Sequence, residues 1–165
     1  MEKYTLSVLV ENHAGVLSRV VGLFTRRGFN IHSLSVGTTA DEKISRITIE
    51  VKGDVYMVEQ VSKQLSKIME VIKIKTLKDN EMVKRGLALV KIKANPKNRG
   101  EIIQIANVFR VNIVDIAETT LIAELTGSDR KIDAFLRMVE PYGIEEIART
   151  GMTALERGAN TLRLN

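Results

Sequence analysis

Polar and apolar residues alternate over Thr5–Glu11 (TLSVLVE), with Leu6, Val8 and Val10 set between Thr5, Ser7 and Glu11, which predicts a strand. Asn12-His13-Ala14-Gly15 has turn composition, and from Val16 the period changes. Leu17, Val20, Val21 and Phe24 fall at i, i+3, i+4 and i+7, one face of a helix, and Arg26-Arg27-Gly28 is a typical helix stop. Asn30–Thr38 reads as a second strand, Thr39–Lys43 as a polar hairpin loop, and Ser45–Val51 as a third strand. In that strand Ile47, Ile49 and Val51 face one side and Arg46, Thr48 and Glu50 the other. Asp54 suits the N-cap of a helix carrying Val55, Val58, Val61, Leu65 and Ile68. Val71–Leu77, with Ile72 and Ile74 against Lys73 and Lys75, closes a β-α-β-β-α-β order.

The pattern then restarts. Lys78–Arg85 (KDNEMVKR) is charged and aperiodic. Leu87–Ala94 is strand-like, Asn95-Pro96-Lys97-Asn98 a turn, and Ile102, Ile103, Ala106 and Phe109 a helix face. Asn112–Glu118 and Leu121–Thr126 read as strands, Ile132, Phe135, Leu136 and Val139 as a helix face, and Ile144–Arg149 as a last strand. Asn30-Ile31 is echoed by Asn112-Ile113, so the repeat is one of architecture with little identity. Each half matches the split βαβ, ferredoxin-like unit. The fold class is therefore α+β, two tandem ferredoxin-like (βαββαβ) domains, with expected bounds 1–78, a linker 79–85, and 86–165. Met152–Asn165 is expected to be a tail without regular structure. Both helices fall on one face of each sheet, leaving the other face and the edge strands open to a second copy.

Composition narrows the functional classes. The 165 residues carry 25 basic and 20 acidic side chains, a net charge of +5, and 44% are hydrophobic, the profile of a chain that folds. No apolar run approaches the ~20 residues of a membrane span, and with the strand pattern beginning soon after Met1 no targeting segment is expected. With no cysteine there is no disulfide, thiolate nucleophile or cysteine metal site. A cytoplasmic location is expected. The two histidines, His13 and His32, stand alone, fewer than a zinc site needs.

The most informative stretch joins the first strand to the first helix. A helix that opens directly after a glycine turn offers unpaired N–H groups and a positive dipole end. Gly15 has no Cβ and lets a ligand approach the main chain. Asn12 can both donate and accept, and Val16 and Leu17 offer an apolar wall. Asn30, where the chain returns from the helix, is expected near the same spot. Together these residues would hold a small zwitterion with an aliphatic side chain. The residues alone leave a plain alternative open, ahead by about two to one: a turn glycine and a capping asparagine.

The run ENHAGVLSRVVGLFTRRGFNIHSLSVGTTADEKISRITI (residues 11–49) resembles the amino-terminal ACT domain of the acetolactate (acetohydroxyacid) synthase small subunit. The similarity lies in E-N-x-x-G-x-L-S-R-V, in G-L-F-x-x-R-G-x-N-I-x-S-L-x-V and in S-R-I-T-I. The second half is similar to the same family in L-A-L-V-K-I-K-A, I-V-D-I, K-I-D-A-F-L and I-A-R-T-G, so the match covers nearly the whole chain. The resemblance implies a non-catalytic regulatory subunit that activates a catalytic large subunit. It also implies a branched-chain amino acid, usually valine, bound between two ACT domains of a homodimer as feedback inhibitor. Asn12, Gly15 and Asn30 match the effector positions, with His13, Ala14, Val16, Leu17 and Ile31 flanking them. Thiamine diphosphate, Mg²⁺ and FAD are expected in the large subunit, and no cofactor in this chain.

Other chemistries find little support. No P-loop, nucleophile-elbow or dinucleotide fingerprint occurs. Asp115 with Glu118, and Glu145 with Glu146, are isolated carboxylate pairs on strands. The same element order serves RNA-recognition modules, the alternative reading, but those stack bases on sheet-face aromatics. LSVLV and RITIEV carry none, and Lys73, Lys75, Lys91 and Lys93 are expected on solvated strand faces, so neither a nucleic-acid nor a membrane partner is expected.

Overall fold

The computed structural model describes residues 2–162. The described residues form two compact units: residues 2–83 together with 151–162, and residues 84–150. The last expected strand ends the second unit, and the segment after it rejoins the first.

In the first unit β1 (Glu2–Glu11), α1 (Val16–Arg27), β2 (Ile31–Thr38), β3 (Ile44–Gly53), α2 (Val55–Leu65) and β4 (Val71–Leu77) follow in order. The strands form an antiparallel sheet in the order β2-β3-β1-β4. Leu6, Val8, Val10, Ile47, Ile49 and Val51 point to the helices and are fully buried or nearly so. They meet Val16, Val20, Leu23 and Phe24 of α1 and Val58, Val61 and Leu65 of α2. The packed stripe of α1 is thus rotated from the one the period suggested: Leu17 is 41% exposed, and Val16 and Leu23 are buried instead. Asp54 caps α2 as expected, its carboxylate accepting from the Met57 N–H at 2.8 Å. Gly28 ends α1 in the left-handed conformation, φ 68°, with Arg26 and Arg27 in the last turn.

The expected linker and tail are both structured. A 3-10 turn (Asp79–Glu81) follows β4, and β5 (Met82–Lys93) starts at once. Met82 is buried with Leu77 and Ala154. The tail passes back over the sheet face that was expected to be open. The Met152 N–H donates to Ser33 Oγ at 3.0 Å, the strand β9 (Thr153–Glu156) follows, Glu156 pairs with Lys75 at 2.7 Å, and Leu162 packs on Leu9 and Ile44. Gly151 lies so close to the Leu34 backbone that a Cβ would overlap it. Thr5, Ser7, Thr48 and Glu50 on this face are buried. Its one strand, β9, is four residues long and the rest buries few apolar residues, too short an alternation for its place to be read from the sequence.

The second unit repeats the plan with β5, α3 (Arg99–Phe109), β6 (Asn112–Ile116), β7 (Thr120–Gly127), α4 (Asp129–Val139) and β8 (Ile144–Arg149), in the strand order β6-β7-β5-β8. Ala88, Val90, Ile92, Leu121, Ala123 and Leu125 of the sheet and Ile102, Ala106, Ile132, Phe135 and Val139 of the helices are buried. Phe109 and Phe135 meet edge to face at 5.7 Å. Arg149 of β8 reaches Asp129 and Asp133 of α4, both at 2.7 Å.

Candidate functional site

The loop after β1 is built around Gly15, which occupies the N-cap of α1 at φ 88° and ψ −16°. A residue with a Cβ strains in that conformation, although a Cβ there would meet nothing within 4 Å. Steric room beside the main chain is thus present and only the backbone shape demands glycine. No side chain caps α1 and its first turn holds no acidic residue, whereas Asp54 and Ser128 cap α2 and α4. Val16 N–H reaches His13 O at 3.4 Å and Arg19 N–H reaches Gly15 O at 3.1 Å. The N–H groups of Leu17 and Ser18 have no acceptor among the described residues. Two amides and the positive end of α1 therefore remain for an anion.

Asn12 is not the cap. Its Nδ2 donates to Glu42 O at 2.7 Å, and its backbone N–H to Lys43 O, also at 2.7 Å. Both acceptors lie in the β2–β3 hairpin loop, itself tied by Lys43 N–H to Asp41 Oδ1 at 2.9 Å and by Thr39 N–H to Ile44 O at 2.9 Å. The side-chain carbonyl of Asn12 stays available. Glu70, buried in front of β4, accepts from Arg19 of α1, and its backbone O accepts from Glu11 N–H at 2.9 Å. Sequence reading missed these supports of the loop; Arg19, four residues beyond Gly15, was the one signal available. His13 and Ala14 are exposed, and His13 Nε2 lies 3.0 Å from Glu11 Oε2. Val16 is buried in the core, while half-open Leu17 borders the loop.

Asn30 and Ile31 are elsewhere. Ile31 is opposite Val51 and Val51 opposite Tyr4, whereas Glu11 is opposite Ile44. Asn30 therefore sits at the end of the sheet where β1 begins, and Asn12 and Gly15 where it ends. The separation is seven strand residues, roughly 23 Å. Within one chain Asn30 does not reach its own glycine loop. A helix crossover returns the chain to its starting end, so β2 opens beside the start of β1.

No group of three or more metal-ligating side chains occurs among the described residues, and no helix is long and apolar enough to cross a membrane. Lys91 and Lys93 are half to largely exposed beside Glu146 and Glu145. The non-helical face of the first sheet offers buried Thr5, Ser7, Thr48 and Glu50, no platform for stacking bases.

Residues 6–73 match the model of the AHAS small subunit-like ACT domain, and residues 85–158 that of the small subunit of acetolactate synthase. A probable acetolactate synthase small subunit of Archaeoglobus fulgidus is 51% identical over 94% of this chain and 98% of its own. The acetolactate synthase small subunit of Mycolicibacterium smegmatis is 48% identical over 94% and 91%. The crystal structure of the acetolactate synthase small subunit from Thermotoga maritima superposes with a TM-score of 0.91 at 38% identity, covering 97% of this chain and all of that one. The chain belongs to the acetolactate synthase small subunit family, and its first unit is an ACT domain.

Proposed function

We propose that this chain is the non-catalytic regulatory partner of an acetolactate synthase catalytic subunit in branched-chain amino-acid biosynthesis. It raises that subunit's activity and transmits feedback inhibition by a branched-chain amino acid, with valine the expected effector. The chain works in the cytoplasm as a homodimer through its ACT domains. Thiamine diphosphate, Mg²⁺ and FAD belong to the catalytic subunit. This chain needs none of them, and neither a nucleic acid nor a membrane takes part.

The observation that carries this reading is the separation of Asn30 from Asn12 and Gly15. β2 is an edge strand, and no strand pairs with its outer side among the described residues. Antiparallel pairing of two β2 strands about a two-fold extends the sheet across the dimer. It sets Ile31 of one chain beside Thr38 of its partner. Thr38 is opposite Ser45, and Ser45 opposite Val10, so Thr38 marks the end of the sheet that carries the glycine loop. Each Asn30 then approaches the partner's loop, and the dimer holds two equivalent niches. The effector carboxylate accepts from the Leu17 and Ser18 amides, the ammonium donates to the Asn12 carbonyl, and Asn30 closes the niche from the other chain. Exposed Leu17 and Val36 (46% exposed) are the apolar surface for an aliphatic side chain and the dimer seam.

The effector acts by linkage, binding one arrangement of the dimer and its complex better than another. The test is acetolactate formation by the catalytic subunit with and without this chain. Added chain should raise the rate and make it sensitive to valine, and the chain alone should make no product. An unchanged rate, or a response to valine that persists when both Asn12 and Asn30 are alanine, contradicts the reading.

A further inference from the structure

A second pocket lies in the first unit between the non-helical sheet face and the returning tail. It has a volume of about 340 Å³ and is lined by Arg46, Leu77, Leu155, Glu156, Thr161 and Leu162, among others. That is at the lower end of the range for small-molecule sites, about 300–1,000 Å³. Arg46 is its chemical centre. The guanidinium donates from Nη1 to Ser7 Oγ at 2.7 Å and from Nη2, more weakly, to Leu162 O at 3.4 Å. Both acceptors are neutral, and no carboxylate pairs with Arg46 among the described residues. Burial holds its pKa below the ordinary arginine value, the mark of a cation that loses water without gaining a counter-ion. Five N–H donors in a planar fork leave capacity for a bidentate acceptor.

The rest of the wall sets the class of that acceptor. Glu156 also lines the pocket, but its carboxylate is paired with Lys75 at 2.7 Å and its side chain is 8% exposed. Among the described residues one positive charge without a paired carboxylate therefore faces the space, which matches a single negative charge and disfavours a phosphate dianion. Leu77, Leu155 and Leu162 supply apolar lining. We propose that this pocket binds a small aliphatic monocarboxylate, held bidentately by Arg46 with its hydrocarbon against Leu77, Leu155 and Leu162. The bound molecule touches both the sheet and residues 155–162 and fastens the tail to the ACT domain. The site is separate from the glycine loop and does not rest on the effector reading.

Isobutyrate is the probe, titrated into the purified full-length chain by calorimetry, with isobutanol and isobutylamine as controls lacking the carboxylate. Saturable binding of isobutyrate alone is expected, unchanged in Asn12→Ala, where the effector niche is damaged. Arg46→Gln should weaken it at least about tenfold, the loss of a charge-assisted hydrogen-bond pair. Thr161→Trp, which fills the pocket from the tail and leaves Arg46 in place, should do the same and keeps the test valid if Arg46→Gln fails to fold. Absence of saturable binding to the unaltered chain overturns the proposal, as does unchanged affinity in a folded Arg46→Gln or Thr161→Trp variant.

Discussion

At Gly15 the left-handed backbone, φ 88°, turns the chain so that the first amides of α1 face outward without a capping side chain. Gly15→Ala keeps the volume available, yet a Cβ in that region costs about 1–2 kcal/mol. The variant should melt a few degrees lower and lose affinity for valine, both readable by calorimetry; unchanged values for both would remove the backbone argument. Asn12 has a different task. Losing its bond to Glu42 O should cost about 1 kcal/mol of stability, and Asn12→Ala should abolish the rise in melting temperature caused by valine. The identities of these two residues were legible in the sequence, because a glycine between a strand period and a helix period is a local signal. The hairpin acceptor of Asn12 was not legible, because strand register sets it across a gap of 30 residues. Asn30 was legible as a residue, but its distance from the glycine loop of its own chain was not, since that follows from where the crossover ends.

At the scale of elements, β2 and the tail carry the account. A charge buried at a strand edge without a partner is costly, so Val36→Glu should turn the dimer into a monomer and remove the response to valine. Sedimentation should show the halved mass; a dimer that persists would place the seam elsewhere. The tail depends on Gly151, where the chain crosses the Leu34 backbone too closely for any side chain. Gly151→Ala should lift this crossing, lower the melting temperature, and speed amide exchange in residues 151–162 ahead of the rest of the first unit. Exchange no faster than in the unaltered chain would contradict that role. The strands, the helices and the Asp54 cap were readable because period and capping chemistry are local. The tail was not, because its alternation, Met152 and Ala154 buried between exposed Thr153 and Leu155, spans only the short β9, and its other anchor, Leu162, stands alone.

Taken whole, the molecule is two units of one architecture with different open surfaces. A ferredoxin-like unit this small buries about 60% of its unfolded surface, and the first unit adds its returning tail and, in this account, a second copy. Regulation then needs only that valine favour one arrangement of the dimer and its catalytic partner. The central claim is that each valine niche takes Asn12 from one chain and Asn30 from the other. Asn12→Ala and Asn30→Ala chains, each alone, should bind no valine. Mixed in equal amounts, unfolded and refolded together, half of the dimers pair one of each, and every such dimer rebuilds a single intact niche. Calorimetry of the mixture should therefore recover about a quarter of the unaltered site number at undiminished affinity. A mixture as silent as its two components, under conditions where the exchange of chains is complete, would contradict a niche shared between protomers.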